Sequence, residues 1–549
     1  MSTSVETPSP YRIQRRTPRK SRHTKSKSIP AAYCLSESVM EQQLVPSQPS
    51  AAEQSGYYIG LRSRPMLVAR SSSNPWEHKW AGNWSMGKSL GPVGRHPIVD
   101  LWNDSAGSLR QTILEALESV PWVAIDILRI GYNGNRESEE KFDQPITLLI
   151  SVVPESTQWS QGHPVVMRCR TILQQHGIYD IHCEMKESRV SWSAASPPVA
   201  PSTALPLLSL PLAHPYETPA SLSESLGTSM SAFDIPTRSG TKCLYLRERV
   251  TGRMLALTCR HVIFEDAAPN VEYRYQDPEP RRTVVQPSDR GLQNMKTLVA
   301  NDMEFRMRTD MKTLKAVKQD LGRLNDLASR IFGHVIFSPT FSVRRSESGK
   351  QRLRDWALIE LHPGKHQSPL HLLENRVKFR NEELPKFRDA EYEMPKPNVD
   401  QMVSLLDLDS STLQLQGTIP EQEMRRPNES TKADDPTILV ASQGAESGLV
   451  IGLSNSVTSI TRRPHLNSEY ISEEWAVLGI RRKKASTRDD FSEGGDSGAC
   501  VWDSQGRIGG MLTGGCHDGT AGVNDVTYVT PIEWLLEDIR EHGFDVEIV

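Results

Sequence analysis

Phe491-Ser-Glu-Gly-Gly-Asp-Ser-Gly-Ala-Cys500 places one serine, Ser497, between Asp496 and Gly498, with Gly494 and Gly495 just before. Strand-type residues follow at once: Ala499, Cys500, Val501 and Trp502. The pattern predicts a tight loop that presents a hydroxyl at the head of a strand. Glycines allow backbone angles closed to other residues and let a second chain come close to the main chain. The amides of Gly495 and Ser497 can then point at one spot beside the hydroxyl, where an oxyanion would form. A serine hydroxyl is a poor nucleophile by itself, so this chemistry requires a base and a group to orient that base. Both stand upstream. Ala256-Leu-Thr-Cys-Arg-His-Val262 ends a β-type run on His261, and Arg354-Asp-Trp-Ala-Leu-Ile-Glu-Leu361 opens another with Asp355.

Outward from this loop the C-terminal part reads as strands with insertions. Residues 242–248 and 254–259 predict a hairpin around Thr251-Gly252 that delivers His261. Residues 301–331 read as helix, with Met307, Leu314, Leu321 and Ala328 every seven and Val317, Leu324 and Ile331 between. Gly322 and Asp310 interrupt that heptad, which favours a surface helix packed on the body over a dimerising coil. Strands follow at 334–337 and 356–361. Residues 365–432 are charged and proline-rich and predict loops, with a strand at 413–419. Strand and glycine patterns return at 438–452, 475–480, 507–513 and 526–530, and a helix at 532–541 closes the chain.

The N-terminal part differs in composition. Residues 1–55 are rich in Ser, Pro, Thr and Gln and carry a run from Arg12 to Lys27 with no acid, which predicts a disordered basic tail. An import signal or an arm for an anionic surface is the sharper reading of that run. Residues 56–195 read as a small α+β domain in the order α-β-β-α-β. Asp104 or Ser105 caps the first helix (Leu109, Ile113, Leu117, Val120); strands 122–132 and 146–153 follow, then helix 164–176 closed by Gly177. A last strand alternates Tyr179, Ile181, Cys183 and Met185 with Asp180, His182 and Glu184. Neither a phosphate loop nor zinc-ligand spacing occurs there, so an interaction or regulatory module is expected. Residues 196–232 form a linker, with seven prolines from Pro197 to Pro219.

Composition narrows the rest. A net charge of −3 over 549 residues gives no global pull toward nucleic acid. No apolar run reaches the length of a membrane span, and the first residues lack the apolar core of a signal peptide. Seven scattered cysteines, an odd number, favour a reducing interior without structural disulfides. An intracellular location, cytoplasmic or nuclear, is expected.

From Phe233 onward the chain resembles the trypsin/chymotrypsin-like serine peptidases. The order His261, Asp355, Ser497 is theirs, and Thr258-Cys-Arg-His-Val262, Asp355-Trp-Ala-Leu and Gly495-Asp-Ser-Gly498 resemble their three motifs. The stretch from Gly509 to Gly515 resembles the strand that lines the specificity pocket, and Tyr528-Val-Thr-Pro-Ile-Glu-Trp534 the closing strand and helix. Val440 to Gly452 resembles the start of the second barrel in intracellular versions from multidomain proteins of filamentous fungi. The resemblance implies an all-β double β-barrel at 233–549, with insertions near 290–333 and 365–432. Separations of 94 and 142 residues between the three motif residues exceed those of the smallest members, in keeping with such insertions.

What it implies for function is a serine endopeptidase acting on protein or peptide. Ser497 is the expected nucleophile, His261 the base, Asp355 its orienter, and Gly495 and Ser497 the oxyanion hole; no cofactor or metal is expected. Phe491, Leu512 and Gly514 fall at pocket positions; where trypsins carry a selecting acid stands Phe491, with Asp489 and Asp490 close by. A catalytically silent, peptidase-like scaffold is the alternative, with residues 56–195 meeting a protein partner. Cys243 is expected to lie across the hairpin from Cys259, both reduced. The domain entry Phe233-Asp-Ile-Pro-Thr-Arg-Ser-Gly240 lacks the Ile-Val-Gly-Gly start of the secreted members. Asp496 therefore has no new amino terminus to pair with, and is expected to face solvent or take internal donors.

Overall fold

The hairpin around Thr251-Gly252 begins the first of two large sheets. A computed structural model describes residues 46–81, 84–132, 144–192, 224–305, 311–346, 349–366, 368–379, 383–407, 409–466, 468–481, 488–517 and 524–549. Leu244–Glu248 and Met254–Thr258 pair antiparallel, Leu244 opposite Leu257. Gly252 turns the corner at φ +71°, a left-handed angle that glycine adopts without clash. Met254–Thr258 is buried throughout and pairs on its other side with Ala357–Leu361, Thr258 opposite Ala357. Beyond it the sheet continues through Ile331–Ser338, Thr283–Val285, Ser229–Ala232 and Gly240–Thr241. Register slips in Thr283–Val285 and Ile331–Ser338 are of the kind that bend and twist a strand.

The second sheet closes on itself. Ser468–Gly479, Gly448–Ser454, Leu439–Gly444, Cys500–Asp503, Ile508–His517 and Val526–Pro531 pair in that order, and the last returns to the first. These six strands make a closed β-barrel, which leaves no open sheet edge around the ring. One apolar cluster joins the two sheets: Leu244, Leu257 and Ile359 share it with Leu439, Ala441, Trp502 and Met511. The described chain is mostly sheet, and its sheets are partly curled.

The N-terminal elements Ser108–Ala116, Trp122–Tyr132, Ile146–Val152, Trp159–Gln175 and His182–Glu187 run in chain order, with Leu67–Arg70 added at the sheet edge and Lys88–Gly91 beside Trp122–Tyr132. Ile113, Ala116, Val166, Cys169 and Leu173 of the helices bury against Ile125, Ile127, Leu148 and Ile150 of the strands. This sheet does not end there. Trp122–Tyr132 pairs with Ser459–His465, Ile125 opposite Ile460, and so runs on into the barrel. Residues 46–549 form one compact unit.

Several expectations need correction. The basic run and the rest of residues 1–45, the loop at 133–143, residues 193–223 and Met307 lie outside the described residues. The end of the supposed tail is ordered: Ala51–Gly56 is a helix whose N-cap Ser50 Oγ accepts from Glu53 N at 3.1 Å. The end of the supposed linker, Ser229–Ala232, is a fully buried strand. Helix 301–331 is two helices, Asp289–Phe305 and Met311–Arg323, and Ile331 already starts a strand. Leu314, Val317 and Leu321 pack on Leu292, Met295 and Val299 of the first helix, so the heptad face is covered within the chain. Residues 365–432 are not loose loops. Their helices Leu384–Asp389 and Lys396–Ser404 and strands Arg376–Lys378 and Thr412–Gln414 bury Phe387, Val399, Met402, Val377 and Leu413 in the main core. The polar side of the last N-terminal strand is also covered, since Glu184 accepts hydrogen bonds from the Tyr57 and Tyr58 hydroxyls at 2.6 and 2.9 Å. Tyr179 lies outside that strand and is exposed.

Candidate active site

Pairing of Thr258 with Ala357 decides the first half of the site. It sets the end of Met254–Thr258 beside the start of Ala357–Leu361, and so brings the following His261 against the preceding Asp355. His261 stands in the short helix Arg260–Ile263. The carboxylate of Asp355 takes two bonds from it: one oxygen accepts from the His261 amide at 3.0 Å, the other lies 2.6 Å from Nδ1. Side-chain exposures are 4% and 1%, so the pair is held out of water. Burial lowers the His261 pKa against the opposing pull of Asp355, which leaves the ring neutral at rest. Burial pushes the Asp355 carboxyl up, but His261 and its hydrogen bonds outweigh that and keep it below the usual range. Nδ1 therefore carries the proton shared with Asp355, and Nε2 is the basic nitrogen.

The serine loop is fixed from the other side. Gly495 and Gly498 take φ +120° and +95°. The Ser497 carbonyl accepts from Thr241 N at 2.7 Å, and Gly498 N donates to Leu512 O at 2.8 Å. Thr241 also donates its hydroxyl to Gly495 O at 3.0 Å and accepts at its carbonyl from Thr258 Oγ1 at 2.8 Å. One residue thus ties the loop to the strand that leads to His261. The fit is close: a Cβ at Gly240 would lie 2.2 Å from Val262 Cγ2 and 3.0 Å from Ser497 O. Ser497 Oγ has a long contact, 3.4 Å, to Thr513 O. Among the described residues the amides of Gly495 and Ser497 donate to no protein acceptor.

Asp496, wholly buried, takes internal donors, the second of the two expected outcomes. It accepts from the amides of Glu493 at 2.8 Å, Glu446 at 3.0 Å and Ser447 at 3.3 Å. Glu446 backs Gly495 and reaches Arg290 at 3.1 Å and Asn294 at 2.7 Å, both on Asp289–Phe305. Burial, together with the nearby Asp496, raises its pKa to about 7 against the pull of Arg290.

Thr241, Glu446 and Arg463 carry no motif and escape a reading of the sequence. Arg463 is 2% exposed, lies 3.4 Å from Thr513 O, and acts on Asp355, His261 and the buried Glu474. A buried arginine on a strand leaves no spacing signal. Cys259, His261 and Asp355 have ligand atoms within 4.8 Å of one another. Burial pushes the Cys259 thiol up, and it donates to Leu512 O at 3.4 Å. Cys243 Sγ meets Cys500 as well as Cys259, and all are free thiols.

Of the expected pocket residues, Phe491 is 1% exposed and packs with Val440, Trp475, Val501 and Val529. Leu512 is buried, and Gly514 pairs with Trp192. Asp490 lies 3.5 Å from Arg62, and burial raises its pKa to about 7. A small cavity opens beside His261, lined by Arg260, Phe264, Glu265, Asp266, Ala268, Phe341 and His465.

No family model matches the chain, and no curated protein matches it. Solved structures to which it is similar include a glutamic acid specific serine protease described as using a histidine triad in substrate binding. That chain is covered in full and matches 59% of this one, at 9% identity and a TM-score of 0.29. A Cellulomonas bogoriensis chymotrypsin is similar at 11% identity and a TM-score of 0.27, over 60% of this chain and 98% of its own. A protease of M. tuberculosis in its active form follows at 10% and 0.23, over 63% and 94%.

Proposed function

We propose that this chain is a serine endopeptidase with Ser497 as nucleophile, His261 as general base and then acid, and Asp355 as the group that orients His261. The observation that supports it most is the 2.6 Å bond between the buried His261 and Asp355, joined through Thr241 to a glycine-framed serine loop. In the reaction Nε2 takes the Ser497 proton as Oγ adds to a peptide carbonyl. The amides of Gly495 and Ser497 stabilise the oxyanion. The imidazolium protonates the departing amine as the C–N bond breaks. Water, deprotonated by His261, then splits the acyl ester and restores Ser497. These steps need neither metal nor organic cofactor. The substrate class is protein or peptide, and residues 56–195 offer a surface for a protein partner.

The test is labelling with a fluorophosphonate probe. Ser497 is expected to be labelled, and Ser497→Ala to remove the label while thermal unfolding stays unchanged. A chain that is folded but unlabelled would support the silent scaffold instead.

A further inference from the structure

Strand Ile508–His517 changes partner along one edge. Up to Leu512 that edge carries the chain that leads out of Ser497: Gly498 N donates to Leu512 O at 2.8 Å, Leu512 N donates to Ala499 O at 2.9 Å, and Met511 stands opposite Cys500. Past Leu512 the same edge pairs antiparallel with Arg189–Trp192: Trp192 opposite Gly514, Ser191 opposite Gly515, Val190 opposite Cys516 and Arg189 opposite His517. The other edge is held by Val526–Pro531, with Gly514 opposite Tyr528 and Cys516 opposite Val526. Both edges of Gly514–Cys516 are therefore occupied.

This edge leads straight to the nucleophile, since Thr513 O lies 3.4 Å from Ser497 Oγ. A peptide that sets a carbonyl at Oγ, with its preceding residues extended, gains most by adding its main chain to a sheet edge. Arg189–Trp192 already runs in the direction such a peptide would take, from His517 toward Thr513. It lies close: a Cβ on Gly514 would fall 2.4 Å from Ser191 O, so a side chain there would push the strand off. Its hold is uneven. Ser188, wholly buried, donates its amide to Val152 O at 2.8 Å and its hydroxyl to His517 O at 2.9 Å. Arg189 is exposed, Val190 and Ser191 are half-buried, and Ser191 Oγ lies 2.6 Å from His517 Nε2. A short element anchored at its start and partly wet beyond it opens far more readily than the fold as a whole.

We propose, on the peptidase reading above, that Arg189–Trp192 is a built-in competitor of substrate: in the resting chain it occupies the main-chain edge beside Ser497, and long peptides are cut only when it leaves that edge. Small electrophiles need no sheet edge and reach Ser497 in either state. An acyl group too short to lie along Gly514 is likewise unaffected. For a long peptide the apparent affinity is the intrinsic one reduced by the fraction of chains whose edge is open. Loosening the strand therefore speeds the cutting of long peptides and leaves reaction with small ones alone.

The test uses the full-length chain with three reagents: the fluorophosphonate probe, p-nitrophenyl acetate and fluorescein-labelled casein. Proline is poorly accepted inside a paired strand, and Ser191→Pro also removes the hydroxyl beside His517. This variant is expected to raise casein hydrolysis about tenfold, the worth of one or two lost hydrogen bonds in the open fraction. Probe labelling and acetate turnover are expected to stay as in wild type. Ser191→Ala is expected to give a smaller rise, and is read in place of Ser191→Pro if thermal unfolding shows that the proline variant does not fold. A synthetic peptide copying residues 186–192 is expected to slow casein hydrolysis by the loosened variant and to spare acetate turnover. A wild type that takes the label and cuts casein as fast as the variants overturns the competitor and leaves the peptidase reading standing. Chains that take the label in every form yet never cut casein overturn it too, as does a loosened variant that the peptide does not slow. Folded chains that take no label in any form overturn both readings.

Discussion

Asp355 holds His261 by two bonds, one to the ring and one to the backbone amide, so its removal does two kinds of damage. Asp355→Asn leaves the shape but offers an amide where Nδ1 needs an acceptor, and the ring is turned to the wrong tautomer. Turnover is expected to fall about 10⁴-fold, and His261→Ala with it should be little worse than either change alone, because the groups act as a unit. Parallel kinetics of the two single variants and the double variant check this; multiplied losses would separate the residues. Because burial lowers the His261 pKa, the free base persists below the ordinary 6.5, and the acid limb of kcat/KM is expected below that pH. On the proposed peptidase reading Thr241 is a positioning residue, bonded to the backbone of the serine loop at Gly495 O and Ser497 O. Thr241→Val removes the donor to Gly495 O, a loss of about 1–2 kcal/mol in a buried site. It is expected to lower kcat about tenfold with KM little changed, and restoration by Thr241→Ser would show that the hydroxyl carries the effect.

The insertion helix Asp289–Phe305 reaches the serine loop through Glu446, which meets Arg290 and Asn294 on one side and Gly495 on the other. In the folded chain Glu446 titrates near 7, above its ordinary 4.5, because it is buried beside Asp496. A carboxyl whose folded pKa is raised contributes stability that is complete below the unfolded pKa and is lost as pH rises through the folded one. Glu446 should therefore weaken the fold between pH 4.5 and about 7, by about 3 kcal/mol at most. Glu446→Gln is expected to flatten that fall, read from urea unfolding at pH 5 and pH 7.5; an unchanged slope would place the titration elsewhere. That coupling could not be read in advance. The periodicity of Leu314, Val317 and Leu321 announced a helical face, but not that its cover would be Leu292, Met295 and Val299 of a helix only partly foreseen. Strands were legible where apolar runs meet glycine, as at Met254–Thr258 and in the loop before Cys500–Asp503. Residues 365–432 were misread because charge and proline dominate the composition, while the few residues that decide burial, Phe387, Val399 and Met402, are spread thinly among them.

At the scale of the molecule, the two halves that composition separates share one sheet, and no local pattern announces a pairing between residues 125 and 460. The meeting of His261 with Asp355 could be expected because each stands at the end of a strongly patterned strand; the seam could not, because backbone pairing is open to almost any residue. Its side chains nonetheless show how tightly the halves are joined. Asp126, wholly buried, accepts from Ser459 Oγ at 2.5 Å and from the Tyr528 hydroxyl at 3.1 Å. Asn455 donates to Ile127 O at 2.9 Å, and Trp102 Nε1 to Thr458 O at 2.9 Å. Leu90, Leu128 and Leu149 bury in one cluster with Leu478, Val526 and Tyr528 of the barrel. A chain that begins at residue 224 would expose that cluster, at about 1.5–3 kcal/mol for each large apolar side chain uncovered. It would also leave Ser459 and Tyr528 without their buried acceptor. Two or three such losses equal much of the stability of an ordinary domain, about 5–15 kcal/mol. The fragment 224–549 alone is therefore expected to aggregate or melt well below the full chain, by size-exclusion chromatography and calorimetry. Co-expressed with residues 46–192 as a separate chain, it should elute as one complex and regain most of the melting temperature. A fragment 224–549 that is monomeric and as stable as the full chain would mean that the shared sheet contributes little to the fold.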